Sequence, residues 1–444
     1  MIACSWTARA ALAAGLALSC TPELERERVP EALEFDPDAS PPRVPQPTGL
    51  IVNPETGLID FGLAGTPLPA DCSEQDALSR AECEFNRYLE TLDGFPSVSP
   101  ATVPATAELD VATLTAGENV VVVSTTPSAP APDYEVSFDA TQNTVVVRPV
   151  PSFRIGTTYW FGIRGYEAGV RAASGNEVVG SPTLSLLKQD SPLPCGATQP
   201  SELDRECPAY QLLAQERSPE DAATTLFTLE SIRAAYQASG AFERMSEAGL
   251  PKAELAALWG FPIHSASVAE LDPSAGLVPR LAAANEIHVA VQGDVDATTV
   301  SAFVVREQPG PVVLMDLTAA AGGDLVAGFP RVTASFEQGA IVIRGGAPFE
   351  AGHQYGIFVT RGVRDAQGRP LAPPPISVLL TLRAPLLDAE GRSTLSSVSD
   401  ADAALLESGR QQLAELFDNP VFGPLTGVRR EDLVYCFAFE LEAP

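Results

Sequence analysis

Few residues in this chain are of a type and spacing that does chemistry. The three histidines, His264, His288 and His353, stand in "FPIHSAS", "EIHVAV" and "GHQYG", with no H-E-x-x-H to place two imidazoles on one helix face. They read as solvated or packing residues. No G-x-S-x-G occurs to expose a base-activated serine, and neither G-x-x-x-x-G-K-[ST] nor G-x-G-x-x-G occurs to cradle a phosphate. Asp294 and Asp296 in "GDVDATT" are carboxylates that could contribute to a calcium site, although a solvated turn is the simpler reading. Trp160, Trp259 and Tyr159 could stack on sugar faces, but they sit in strand-like runs that recur along the chain and read more economically as core. Cys72 and Cys83 bracket "SEQDALSRAE", and Cys195 and Cys207 bracket "GATQPSELDRE". Two loops of about a dozen residues suit two local disulfides, each worth roughly 3 kcal/mol in the loop-entropy account. Without a C-x-x-C, zinc is a poor alternative. Cys436, in an apolar run, reads as a buried, inert thiol. No cofactor and no metal are expected.

The whole composition narrows the class. With 57 acidic against 28 basic residues the net charge is −29, and Lys188 and Lys252 are the only lysines. A chain so acidic, with no basic stripe, has no grip on phosphate backbones, so no nucleic-acid partner is expected. Its 444 residues are too many for one ordinary domain. Forty prolines and 34 glycines beside only 19% charged residues favour short strands and turns over long helices.

The start "MIACSWTARAALAAGLALSC" has Arg9 in a weakly positive lead, an apolar run from Ala10 to Leu18, then Ser19 and Cys20. That run is shorter than the roughly 20 residues a spanning helix needs. "LALSC" resembles the lipobox of bacterial lipoproteins, and the resemblance implies removal of residues 1–19 and lipidation of Cys20; ordinary signal cleavage is the plain alternative. Residues 20–48, rich in Pro and acid and without apolar periodicity, read as a semi-extended tether. Thr21 after Cys20 favours, by analogy, the outer membrane, on its periplasmic or surface face.

The body repeats itself. "LESIR" (229–233) followed by "AELAALWGF" (253–261) answers "LESGR" (406–410) followed by "EDLVYCFAF" (431–439), at nearly the same interval. "GTTYWFGIRG" answers "GHQYGIFVTRG", "NTVVVRP" answers "GAIVIRG", and "LDVATL" answers "VDATTV". The first half of each unit is a series of short apolar runs between Gly, Pro, Asp and Asn. These are "NVVVVS", "YEVSF", "TVVVRP", "YWFGIR" and "TLSLL", then "EIHVAV", "VSAFVV", "VVLMD", "RVTASF", "AIVIR", "YGIFVT" and "ISVLLTL". Their spacing predicts antiparallel β-sandwiches. Each unit then switches to helical periodicity, entered through Ser218-Pro219 with Asp221, and through Ser399 with Asp402. "LAALWGFPI" and "LVYCFAFEL" then read as closing strands that return to their own sandwich.

"GHQYGIFVTRGVRDAQGRPL", Gly352 to Leu371, resembles bacterial Ig-like domains of the S-layer type, while the first unit departs at Ala172, where the pattern has an acid. Together with the lipobox and "YLETLDGFPSVSP" (88–100), the order is similar to the non-catalytic N-terminal region of bacterial virulence-type lipase lipoproteins. Lipase activity does not carry over without the nucleophile elbow.

The expected fold class is therefore mainly β, with two duplicated Ig-like β-sandwich modules, each carrying a helical excursion before its closing strand. The expected divisions are 1–19 signal, 20–48 tether, 49–105 N-terminal segment with a local disulfide, 106–265 first module and 266–444 second module. The segment "HSASVAELDPSAG" (264–276) between the modules permits either rigid packing or a hinge. Functionally this predicts a non-enzymatic envelope lipoprotein serving as scaffold or binding surface, held at the membrane by its lipid and meeting an envelope protein or a glycan. A degenerate or accessory member of the lipase-type family, and a carbohydrate-binding adhesin, are the alternatives.

Overall fold

The computed structural model describes residues 30–37, 42–65, 67–73, 79–125, 132–215, 217–270, 280–281, 285–321 and 325–442. The leader, Cys20 and residues 271–276 of the inter-module segment lie outside the described residues.

The chain runs through β1 (Glu31–Leu33), α1 (Arg80–Leu89), β2 (Ala101–Pro104), β3 (Val120–Ser124), β4 (Tyr134–Asp139), β5 (Thr144–Pro149), β6 (Thr158–Arg164) and β7 (Val178–Gly180). Then come α2 (Pro182–Leu187), α3 (Pro208–Leu213), α4 (Pro219–Ser239), α5 (Ala241–Glu247) and β8 (Leu255–Pro262). The second half holds β9 (Val268–Ala269), β10 (Arg280–Leu281), β11 (Glu286–Gln292), β12 (Val312–Asp316), α6 (Leu317–Ala321), β13 (Val332–Glu337), β14 (Ala340–Gly345) and β15 (Gln354–Thr360). It ends with α7 (Pro375–Thr381), α8 (Asp400–Asp418), α9 (Phe422–Thr426) and β16 (Leu433–Leu441).

The fold is mainly β, and its sheets lie in two lobes. In the first, an antiparallel sheet β2-β5-β4 faces a second sheet β3-β6-β8; in the second, β13-β14-β11-β9 faces β10-β16-β15-β12. The strands show why. Ile287, Val289 and Val291 of β11 alternate with outward His288 and Ala290, the pattern of a sheet wet on one side. β6 and β15 are instead apolar on both faces. Tyr159, Phe161 and Ile163 of β6 point into the first sandwich core, whereas Trp160 points the other way into a layer made by α2 to α5. Likewise Tyr355, Ile357 and Val359 face the second core while Phe358 faces α8 and α9. A strand buried on both sides needs a cover, and the helices between β7 and β8, and between β15 and β16, supply it. The closing strands lie antiparallel to β6 and β15, with Tyr159 opposite Phe261 and Tyr355 opposite Phe439. Gly260 sits opposite Trp160, where a Cβ would come within 2.6 Å of the indole ring, so only glycine fits.

The long helices start where the sequence places them. Ser218 accepts from the Asp221 amide with Pro219 in the first turn, and Ser399 accepts from the Asp402 amide. Three runs read as strands differ. "TLSLL" and "ISVLLTL" form α2 and α7, each begun by a proline in its first turn: the α2 leucines pack on the outer face of β6 and β8, while α7 packs on α1 and α8 and reaches the sheet through Leu380. "VSAFVV" makes only isolated bridges through Ala302 and Val304. The tether read over 20–48 is also shorter: β1 pairs with β7, Gln46 bridges Thr102, and Leu33 and Phe35 are buried, so the apolar residues of this stretch anchor it to the first lobe.

Candidate functional site

Chemistry-bearing side chains converge where the lobes meet. The strand-end loop after α1 brings Asp93 beside the connection that leaves β8, and its carboxylate accepts from the Ser265 amide at 2.8 Å and from the Ser265 hydroxyl. From the second lobe, Arg369 donates to the Ser265 hydroxyl at 2.8 Å and to its carbonyl at 3.0 Å. Arg369 is itself aimed by Asp365, wholly buried, which accepts from its Nε and its amide. A second polar stitch lies alongside. The Gln292 side chain of β11 accepts from the Ile155 amide and donates to the Phe153 carbonyl and to Ser152, whose hydroxyl also meets Glu270. Val268 pairs with Gln292 in the second lobe yet packs in the first lobe's core. The connection is thus an extended bridge fixed from both sides over 264–270.

A Ser-His-Asp set is present in composition here but not in wiring. The Ser265 hydroxyl goes directly to Asp93, and His264 is buried with its Nδ1 lacking a hydrogen-bond partner. Burial, more than any neighbouring charge, pushes the His264 imidazole down to about 4, so it is neutral. A base that neither touches the hydroxyl nor is oriented by the acid cannot pass a proton between them.

A second contact joins the lobes through α1. Its Ala81, Phe85 and Tyr88 pack on α7 and α8, Tyr88 donates to the Pro373 carbonyl at 2.6 Å, and Glu84 accepts from the Arg383 and Ala384 amides. Glu82 takes the Ser396 amide and hydroxyl. The Cys72–Cys83 disulfide ties this helix to its own approach, and Cys195–Cys207 does the same just before α3. Both expected pairings are therefore present. Cys436 is free and buried, its thiol pushed up to about 12 by burial.

The repeated "LES-x-R" phrase, read only as a marker of duplication, proves to be a built device. Glu230 pairs with Arg233 and accepts from the Leu193 amide, while Arg233 donates to the Gln189 and Asp190 carbonyls. Glu407 pairs with Arg410 and accepts from the Leu386 amide, while Arg410 donates to the Leu382 carbonyl. Each pair clamps the loop that follows α2 or α7.

The remaining candidates separate. Trp160 packs edge-on to Tyr236, Trp259 stacks on Phe161 with its centroid 5.2 Å away, and Tyr159 is buried, so these three form no exposed sugar platform. Asp296 caps a turn, and the hydrogen bonds it accepts from the Thr298 hydroxyl and then from the Thr298 amide lower its pKa. The Asp294 carbonyl accepts from Ser267. His288 stands exposed beside Glu286. His353 bridges Asp316 at 2.8 Å and Glu350 at 3.0 Å, and the bond to Asp316 raises its pKa. Among the described residues no group of three or more His, Cys, Asp or Glu is placed to hold a metal, and no helix is long and apolar enough to cross a membrane.

No protein-family model matches this chain, and no curated protein does. Among solved structures it is similar to the N-terminal part of the bacterial S-layer protein SbsC, at 19% identity over 19% of either chain with a TM-score of 0.16. Less than two thirds of that chain is spanned, and the likeness is too slight to carry an argument. The chain stands as a mainly β protein with two local disulfides, which suit an extracellular or envelope setting.

Proposed function

We propose that this protein is a non-enzymatic component of a bacterial envelope, lipidated at Cys20, whose tandem Ig-like sandwiches hold a fixed two-lobed shape as scaffold or binding surface. The observation that carries it is the junction. Of the side chains there of the types that enzymes use, Asp93, Ser265 and Arg369 are committed to one another and to backbone in fastening one lobe to the next, and His264 is buried and neutral beside them. The reading of the lobes as one module used twice is supported by their matched strand registers, by the E-x-x-R clamp in each, and by Tyr159 and Tyr355, whose hydroxyls each accept from the amide five residues upstream.

The test is protease shaving of cells that express the native chain or Cys20→Ala, with the body followed in membrane and soluble fractions. Membrane association that depends on Cys20, with a body removed by protease, is the expected result and directs the search to extracellular ligands. A membrane-bound but protected body makes it a periplasmic scaffold. Association unchanged by Cys20→Ala overturns the anchor, and turnover of short acyl esters abolished by mutating one serine overturns the non-enzymatic reading.

A further inference from the structure

The two lobes treat one pair of positions in opposite ways. In the first, Lys252 in the turn before β8 makes an ion pair of 2.6 Å with Asp190, which follows α2. The clamps fix the equivalent positions: Leu193 and Leu386 give their amides to the clamp glutamates, and Gln189 and Leu382 give their carbonyls to the clamp arginines. Counting from these, the partner of Asp190 is Arg383, and the turn before β16 begins with Arg430 where its counterpart begins with Lys252. The acid–base pair of one lobe is an arginine–arginine pair in the other.

Arg430 shows the consequence. Its Nε and Nη2 are out of reach of solvent and have no hydrogen-bond partner. The nearby acids do not serve it, since the Glu84 carboxylate is taken by Arg80 and by the Arg383 and Ala384 amides, and Asp418 makes no hydrogen bond to it. Arg410 is spent on Glu407. Arg383 is exposed. A guanidinium inside a protein is ordinarily matched by an oxyanion, bidentate where two N–H groups lie in one plane.

We propose that the corner formed by Arg383 and Arg430, between the end of α7 and the start of β16, binds a small oxyanion, a carboxylate or a phosphate, which takes the place that Asp190 fills in the first lobe. Burial together with the charges of Arg410 and Arg383 lowers the pKa of Arg430, so an arriving anion relieves the repulsion as well as accepting hydrogen bonds. In a chain of net charge −29 such a site also discriminates: the surrounding field repels large polyanions, while one small anion meets two local positive charges.

The experiment titrates the purified body with sodium phosphate or sodium acetate at constant ionic strength set by chloride, and follows Tm. A saturable rise in the native protein with either anion is expected, and which anion acts names the ligand chemistry. Arg383→Asp, which installs the first lobe's own solution, should abolish the response while leaving the fold intact. Asp190→Arg should create a second anion-responsive site in the first lobe. A native Tm indifferent to both anions, or a response that survives Arg383→Asp unchanged, overturns the proposal.

Discussion

Two histidines that look alike in the sequence titrate in opposite senses, and the fold explains each. His264 is kept neutral by burial, its pKa down at about 4 from an ordinary 6.5. Its unfolded form gains a proton that the folded form refuses, so the stability it confers is full above about pH 6.5 and is lost as pH falls toward about 4. At about 1.4 kcal/mol per pH unit that gap is worth roughly 3 kcal/mol. His353 is held above 6.5 by its bond to Asp316, then by the charges of Asp316 and Glu350. Its contribution is full below about pH 6.5 and is lost as pH rises through the folded value; for a partly exposed group it stays below about 1 kcal/mol. Urea midpoints measured from about pH 4 to 8 should therefore lose most of their acid-side slope in His264→Gln, and only the shallow decline above 6.5 in His353→Gln. Equal slopes in all three proteins would refute both assignments. None of this was legible in the sequence, because Asp316 lies 37 residues from His353 and Asp93 lies 172 from Ser265. A single chain gives no signal for pairs so far apart.

At the scale of elements the sequence was more open. The alternating strands, the serine caps of α4 and α8 and the returns of β8 and β16 could all be read from period and punctuation. "TLSLL" and "ISVLLTL" turn out helical and "VSAFVV" only bridged, since a five-to-seven-residue apolar run has no length with which to separate strand from helix. What decides is tertiary: β6 and β15 are apolar on both faces, and α2 and α7 cover the second face. Their following loops depend on the clamps. Glu407 and Arg410 are each about 10% exposed in their side chains, so Glu407→Ala leaves a buried guanidinium with no counter-charge and only the Leu382 carbonyl to bond, and the Leu386 amide without an acceptor. The expected loss is about 3–5 kcal/mol by chemical denaturation. Replacing both, as Glu407→Leu with Arg410→Met, should recover much of it. In the first lobe Glu230 is 21% exposed, so Glu230→Ala should cost less. A Glu407→Ala loss no greater than that of a surface pair would show the clamp to be ornamental.

At the scale of the molecule, function on this reading depends on whether the lobes keep one angle. The sequence leaves "HSASVAELDPSAG" open between rigid and hinged, and over its described residues Ser265 is bonded from both lobes. The acid that the first unit lacks at Ala172 is Asp365 in the second, and there it aims Arg369 at Ser265. Ala172 is instead buried in the first core. The departure from the repeat thus marks the joint. Because α1 makes a separate contact through Glu82, Glu84 and Tyr88, removing Arg369 alone should leave the angle restrained. Arg369→Ala combined with Glu82→Ala and Glu84→Ala removes most of both polar fastenings and leaves the Tyr88–Pro373 bond and Gln292 as the remaining polar stitches. Small-angle scattering of the native body should fit a single conformation, and the triple variant should need a spread of interlobe angles while each lobe keeps its own unfolding midpoint. A triple variant that still scatters as one rigid shape would place the rigidity in the apolar contacts around Val268 and α1. A native body that already scatters as an ensemble would remove the fixed geometry on which the scaffold reading rests.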